Sequence, residues 1–234
     1  MKNNQTSERI RRMVMLAMFT AMAYVVMLVI HIKVGFLTLD VKDAVITLCG
    51  LYFGPLSALI IAVVVPLLEL ATSDTGLYGL IMNILGSVSF SVTASLIYKY
   101  KKTLWGAIVA LVSAAFAMVA VMLAANLFIT PYYMGVTMAD VRGMIPTLLF
   151  PFNLLKALVN VGVVLLLYKS LSRALRRAKV LPRSTKTAPQ QGAAPAHSRL
   201  VSILIPLAAL VLIVVSLVVI FTVMGGKFDF GISK

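Results

Sequence analysis

Long apolar runs separated by short polar segments dominate this chain. A helix that crosses a bilayer needs about 20 largely apolar residues. Five runs reach that length, at residues 13–32, 78–98, 104–129, 148–168 and 200–224. A further apolar stretch, from Ala44 to Thr72, is too long for one span and short for two. The pattern predicts an all-α integral membrane protein whose helix number depends on this stretch.

Gly54 and Pro55 lie inside the ambiguous stretch. Proline disfavours the helical conformation in the residue before it and has no N–H to donate, so the pair predicts a turn between two helices. The basic residues agree, because lysine and arginine collect in cytoplasmic loops. With the turn, all three basic clusters, at residues 2–12, 99–102 and 169–199, fall on one side. We therefore expect six helices with both ends in the cytoplasm, then a seventh helix that ends outside.

Composition excludes a soluble globular protein. Hydrophobic residues make up 61% of the chain and charged residues 12%, against about 45–50% and about 25% in soluble domains. The net charge of +14 would suggest nucleic acid in a soluble protein, but here the cations flank membrane helices and no nucleic-acid partner is expected. Cys49 is the single cysteine and His31 and His197 are the only histidines, so neither a disulfide framework nor a metal site is expected.

The same patterns divide the chain into five parts. They predict a basic cytoplasmic N-terminus (1–12), a six-helix membrane domain (13–175), a flexible cytoplasmic linker (176–199), a seventh transmembrane helix (200–224) and an outer tail (225–234). The linker is rich in proline, glycine and glutamine, which is typical of segments without a packed core. The seventh run is almost entirely Val, Ile and Leu, which favours a lone lipid-facing anchor over a packed functional helix.

Ionisable side chains inside a membrane are costly, and they are therefore the first functional candidates. Glu69 and Lys156 are the two that fall within the six predicted helices, both in the outer half. Asn153 lies one turn before Lys156 on the same helix face, and Asn126 lies near the outer end of the fifth helix. The polar outer loop at residues 33–43 would cover this place. The residues together favour a binding pocket that is open to the outside.

Structural roles for these residues also remain open. Glu69 and Lys156 could form an ion pair between helices, or Lys156 could extend its ammonium group to the lipid headgroups. The asparagines could join helices by hydrogen bonds, which are common in membrane bundles. The sequence contains no phosphate-binding loop, no zinc-protease motif and no carboxylate cluster for a divalent ion. We therefore expect a protein that is not an enzyme and does not hydrolyse ATP itself.

Several segments together resemble a known family of membrane proteins. They lie at residues 36–40 (FLTLD), 51–56 (LYFGPL), 96–99 (LIYK), 126–133 (NLFITPYY) and 151–156 (PFNLLK). Over about residues 10–175 the chain resembles the substrate-binding S components of energy-coupling factor (ECF) transporters, in particular their riboflavin-specific type. The motif at 151–156, with Asn126 upstream, is the most specific part of this resemblance.

The resemblance implies a fold and a function. The fold would be the six-helix S-component bundle, to which this chain adds one C-terminal transmembrane helix. The function would be high-affinity capture of riboflavin, as a transported ligand and not a cofactor, and its uptake into the cell. ATP hydrolysis would come from two partner ATPase subunits, and the loaded bundle would topple against an EcfT-type transmembrane coupling protein. An S component for another vitamin, a solitary ion-coupled carrier and a non-transporting scaffold remain alternatives.

The resemblance also implies roles for particular residues. Asn126, Asn153 and Lys156 match the positions that hold the flavin ring. The first outer loop, around Leu39 and Asp40, would close over it. The first helix carries two alanines four residues apart, a spacing that lets another helix approach closely. By the resemblance, these alanines would meet the coupling protein: Ala17 and Ala21.

Overall fold

The computed structural model describes residues 2–73, 75–178 and 196–228, without the side chains of residues 2–8, 196–203 and 228. Its helices are α1 (Lys2–Val29), α2 (Lys42–Phe53), α3 (Pro55–Glu69), α4 (Gly76–Tyr100), α5 (Leu104–Met134), α6 (Met138–Met144), α7 (Phe150–Arg177) and α8 (Ala196–Thr222). Its strands are β1 (Ile32–Val34), β2 (Leu37–Leu39) and β3 (Lys227–Phe228). The predicted all-α class is confirmed. Of the predicted linker and tail, residues 179–195 and 229–234 lie outside the described residues.

The described residues include five helical segments that are long and apolar enough to cross a membrane. They are Arg9–Val29, Gly76–Tyr100, Leu104–Met134, Met138–Arg177 and Leu204–Thr222. Large apolar side chains such as Phe116 and Val109 are exposed on the outside of the bundle, where a soluble protein would carry polar groups. The chain is therefore a multi-pass membrane protein.

The predicted turn at Gly54 is confirmed. α2 ends at Phe53 and α3 begins at Pro55. Gly54 has a φ of 95°, a conformation that glycine adopts readily because it has no Cβ. Pro55 occupies the start of α3, where no backbone donor is required. α2 is short and almost wholly buried, and packs against α1, α3, α4 and α7. It forms the centre of the bundle and has little contact with the lipid.

The segment predicted to be the outer loop contains a small sheet. β1 and β2 form an antiparallel hairpin around Gly35, and β3 pairs with the other edge of β1. The main hydrophobic core lies among the helices. A second hydrophobic core lies beneath the hairpin and contains Ile32 and Leu39, both fully buried, together with Phe152 and Ile220. The hairpin is thus fixed on the end of the bundle by alternate apolar side chains.

The predicted seventh helix is present as α8, but it is not the lone anchor that the sequence suggested. α8 packs on α7, with Ala209 and Ile220 buried. Gly162 of α7 provides the space, because a Cβ atom there would lie 2.6 Å from Ile213 Cγ1 and 3.0 Å from the Ala209 carbonyl oxygen. The other faces of α8 expose Val and Leu side chains. The uniform apolar composition concealed which face is packed.

The approach to α7 also differs from the single helix predicted from residue 148. α6 leads into a π-helical turn at Ile145–Leu149, which continues into α7. Pro146 lies inside this turn and Pro151 lies two residues after it. Neither proline has an N–H for the regular helical hydrogen bonds, which explains the widened form of the turn. The turn directs the start of α7, with Phe152 and Asn153, towards the hairpin.

Candidate ligand-binding site

A cavity of about 520 Å³ opens at the end of the bundle that carries the hairpin. Its wall comes from the hairpin, the end of α3, the start of α4, the end of α5 and the start of α7. This volume is within the range of small-molecule sites. The aromatic side chains in the wall are Phe36, Tyr78, Tyr133 and Phe152. We call this end of the molecule the pocket end.

Three of the predicted site residues line this cavity together: Asn126, Asn153 and Lys156. The Asn126 side-chain N–H donates to the Met122 carbonyl at 2.7 Å, and that of Asn153 donates to the Leu149 carbonyl at 2.8 Å. These bonds fix the orientation of both amides. An asparagine side chain carries a second N–H and an acceptor oxygen with two lone pairs, and the Asn126 oxygen uses one of them to accept from the Thr130 hydroxyl at 3.0 Å. Both amides therefore retain the capacity to bind a ligand.

Lys156 connects α7 to the hairpin. Its ammonium group donates to the Thr38 carbonyl at 3.1 Å and to the Asp40 carboxylate at 3.0 Å. The ion pair between Lys156 and Glu69 that the sequence left open is not the observed arrangement. An ammonium group has three N–H donors, and the two bonds described use two of them. The third can serve a ligand in the cavity.

Glu69 pairs with Lys42, a residue that was predicted to lie in the outer loop. Lys42 begins α2 and is fully buried, with its ammonium group 2.6 Å from Glu69, 3.3 Å from Asp40 and 3.3 Å from the Asn83 oxygen. The expectation that Glu69 and Lys156 are the ionisable residues within the helices was thus wrong. The sequence did contain a signal, because a buried Glu69 needs a cation and Lys42 lies two residues before the apolar run that starts at Ala44.

Asp43 is a second functional candidate, and its position in the sequence predicted only a place in the outer loop. It lies in the first turn of α2, lines the cavity and is almost fully buried. The Ser87 hydroxyl of α4 donates to its carboxylate at 2.5 Å. Asp43, Glu69 and Asn83 therefore supply polar groups to the cavity wall, and the ammonium group of Lys42 bonds to Glu69 and Asn83.

Leu39 and Asp40 lie behind the cavity wall and do not line it. Leu39 is fully buried in the second core. Asp40 lies between β2 and α2, where burial raises the pKa of its carboxyl group, but Lys156 and Lys42 more than offset this and hold that pKa below its usual range. Asp40 thus holds the two ammonium groups in place. A direct ligand contact by Leu39 or Asp40 stays a prediction.

The two alanines predicted to meet a partner lie on an open face of α1. Ala17 and Ala21 are both exposed, whereas Phe19 and Ala23 on the same helix are buried. The small side chains therefore face outwards from the bundle. Their role in binding a partner stays a prediction.

Comparison with known proteins places the chain in a family. The family model described as "ECF transporter, substrate-specific component" matches residues 11–168. The riboflavin transporter RibU of Staphylococcus aureus (strain TCH60) is 32% identical over 176 residues, which cover 71% of this chain and 93% of that protein. A solved S component of a bacterial ECF transporter matches with a TM-score of 0.62 and 32% identity, over 72% of this chain and 99% of the solved chain. The chain belongs to the substrate-specific (S) components of ECF transporters.

Proposed function

We propose that this S component captures riboflavin in the cavity of the pocket end and delivers it across the membrane. Two observations support the choice of riboflavin. The similar protein from Staphylococcus aureus is a riboflavin transporter that matches over 93% of its length. The observation that carries the proposal is the convergence of Asn126, Asn153 and Lys156 on one cavity of suitable size.

The chemistry of the cavity fits a flavin ring. The isoalloxazine system is planar and largely apolar, with one edge of carbonyl oxygens, ring nitrogens and an N–H. Asn126 and Asn153 offer donors and acceptors for that edge, and Lys156 offers a donor to a carbonyl or ring nitrogen. Phe36 and Tyr133 provide aromatic surface for the ring faces. Apolar walls with a few convergent polar groups are typical of such sites.

The hairpin takes part in this site as its cover. We assign Asp40 a positioning role, because its carboxylate holds the ammonium group of Lys156. We assign Leu39 a place in the core that seats the hairpin on the bundle. The backbone of the same hairpin, at the Thr38 carbonyl, provides the second acceptor for Lys156. Closure of the hairpin and placement of the ligand-binding lysine are thereby linked.

Riboflavin binding tests the proposal directly. Quenching of flavin fluorescence by the purified full-length chain should reveal a complex, and Lys156→Ala and Asn153→Ala should weaken it. A hydrogen bond from a charged group contributes about 1.5–3 kcal/mol, so Lys156→Ala should raise Kd roughly 10- to 150-fold. Tyr168→Phe, at the opposite end of the bundle, is the control and should leave Kd unchanged. Absence of quenching by the unaltered chain at micromolar riboflavin would reject the flavin assignment.

We further propose that uptake is driven by ATP through partner proteins. The partners would be an EcfT-type coupling protein, against which the loaded bundle topples, and two ATPase subunits. Family membership supports partners of this class, and the sequence holds no phosphate-binding loop of its own. The exposed alanines of α1 provide a surface on which a partner helix could pack closely.

Bulky substitutions on α1 test the partner surface. The double variant Ala17→Trp with Ala21→Trp should bind riboflavin normally but lose copurification with the ATPase subunits and lose uptake. Ala120 and Ala124 of α5 are also exposed and four residues apart, so the same double substitution there is a matched control. Retained copurification in the α1 variant would reject this surface. Uptake that persists without the ATPase subunits and collapses with the proton gradient would favour a solitary carrier.

A further inference from the structure

The segment from α8 to β3 lies beyond the residues 11–168 that the family model matches, yet its strand β3 pairs with strand β1 of the hairpin, which forms part of the cavity wall. We infer that this segment, residues 204–228, is a clamp that holds the β1–β2 hairpin over the cavity and slows the exchange of ligand. The inference rests on the proposed function for its ligand measurements. Its structural basis is a chain of three contacts that leads from α7 to the hairpin.

The first contact anchors α8 to the helix that carries the site. Gly162 lies less than two turns after Lys156 on α7, and the space above it is occupied by Ile213 and the Ala209 carbonyl of α8. A side chain at residue 162 would exclude this approach. Ala209 and Ser216 on the same side of α8 are nearly fully buried. α8 is therefore seated in a groove shaped for it.

The second contact is the turn that follows α8. Gly225 has a φ of 66° and reverses the chain. The Gly226 N–H donates to the Ile220 carbonyl at 2.9 Å. A Cβ atom at Gly226 would lie 2.8 Å from Ile220 Cγ2 and 3.3 Å from Ile32 Cγ2. Only glycine lets the turn pack this closely between the end of α8 and strand β1.

The third contact is the pairing of β3 with β1. Ile32 lies opposite Phe228, and Lys33 lies opposite Lys227. β1 becomes the central strand of the sheet, and the hairpin cannot swing away from α7 without breaking this pairing. Residues of the hairpin from Gly35 to Thr38 form part of the cavity wall. The clamp therefore acts on the cover of the site, through the backbone.

The strength of the pairing between β3 and β1 is limited by its length, because β3 is only two residues long. A clamp of this kind holds the hairpin for most of the time and still releases it, as a binding protein that loads and unloads requires.

A bulky residue at the turn should release the clamp. In the full-length chain, Gly226→Val should speed riboflavin dissociation about tenfold, the equivalent of 1.4 kcal/mol. It should also speed hydrogen exchange at the backbone amides of residues 32–39 in the absence of ligand. Gly143→Val is the matched control, because a Cβ atom there meets nothing within 4 Å. The control should change neither rate.

A reversible cross-link tests the clamp in the other direction, because it should hold the hairpin closed. This experiment also tests the clamp if Gly226→Val fails to fold. Lys33→Cys combined with Lys227→Cys places two thiols on paired residues, where a disulfide can form. Oxidation should slow riboflavin dissociation, and reduction should restore the rate. Cys49 is buried in α2, and Lys227→Cys alone is the control for the reagents.

The outcomes separate the two proposals. If the unaltered chain binds riboflavin but neither Gly226→Val nor the cross-link changes dissociation or hairpin exchange, the clamp is wrong. If the chain does not bind riboflavin while Gly226→Val still speeds hairpin exchange, the flavin assignment fails and the clamp on the cavity stands. Faster dissociation in Gly226→Val and slower dissociation in the oxidised pair would support both.

Discussion

The two ends of the helix bundle are closed by different chemistry. At the pocket end, buried charges join the hairpin to α2, α3 and α7, with Lys42 between Asp40 and Glu69. At the opposite end, the contacts among tyrosines are neutral. The Tyr98 and Tyr168 hydroxyls lie 2.5 Å apart, and the Tyr52 hydroxyl donates to the Tyr168 carbonyl at 2.7 Å.

This difference indicates that the functional site lies at the pocket end. Neutral hydrogen bonds are sufficient to join α2, α4 and α7 at the opposite end. Burying a charge is costly even when it is paired, so structural closure alone does not explain the network at the pocket end. The network does hold polar groups at fixed positions around a cavity: Asp43, Glu69, Asn83 and Lys156.

The largest effect is expected from breaking the charged network at its centre. Lys42→Met leaves the Glu69 carboxylate buried without its cation, and removing one partner of a buried pair costs about 3–5 kcal/mol. The free energy of unfolding, measured in mixed detergent micelles, should fall by that order. Adding Glu69→Gln should restore part of the loss. Lys101→Met, at an exposed lysine, is the control, and an equal stability of Lys42→Met and Lys101→Met would contradict the role of the network.

A smaller loss of stability is expected from substitution of Gly54, in the turn at the opposite end. Gly54 has φ 95° and ψ 168°, and a residue with a side chain is strained there by about 1–3 kcal/mol. A Cβ atom at this place meets nothing within 4 Å, so Gly54→Ala isolates backbone strain from steric overlap. Thermal unfolding should show a lower midpoint than that of Gly143→Ala, a glycine in helix α6. Equal midpoints would show that the turn does not require glycine.

Loss of a hydrogen bond among the tyrosines at the opposite end should lower stability less than the substitutions of Lys42 and Gly54. Tyr98→Phe removes one hydroxyl from the contact with Tyr168 and should lower the free energy of unfolding by about 1 kcal/mol. Riboflavin affinity should stay the same, because the site lies at the other end. A large loss of affinity in Tyr98→Phe would mean that the two ends of the bundle are coupled and do not have separate roles.

The smallest expected change is in the contribution of Asp40 to stability as the pH is varied. The lowered pKa of Asp40 means that its contribution to stability is present above the ordinary carboxyl pKa, about 3.9, and is lost only as the pH falls below that value. In an Asp43→Asn background, which removes the neighbouring carboxyl that interacts with Asp40, the change in unfolding midpoint caused by Asp40→Asn should therefore be constant from about pH 8 to about pH 5. A difference that already shrinks within this range would contradict the ion pairing of Asp40.

Much of the helical layout could be predicted because its signals are local. The turn at Gly54 follows from proline chemistry and from the placement of basic residues. The convergence of Asn126, Asn153 and Lys156 followed from the depth of each residue in its helix. These inferences needed only chain direction and helix length, both of which the apolar runs provide.

The missed features depend on contacts between distant segments. Lys42 looks like a loop residue until α2 is known to be buried on every side, and its partner Glu69 lies on another helix. The strands β1 and β2 are three residues each, too short for a clear alternating pattern. The pairing of β3 with β1 joins residues near the two ends of the chain. No local pattern specifies such a contact.

Cysteine labelling in whole cells tests most directly that the pocket end opens to the outside and takes up riboflavin. Thr72 lies at the cavity and Lys101 at the opposite end, and both are exposed. In a Cys49→Ala background, Thr72→Cys should react with an impermeant maleimide, and riboflavin should protect it. Lys101→Cys should react only after the membrane is permeabilised. Labelling of Lys101→Cys in intact cells, with none of Thr72→Cys, would contradict the account.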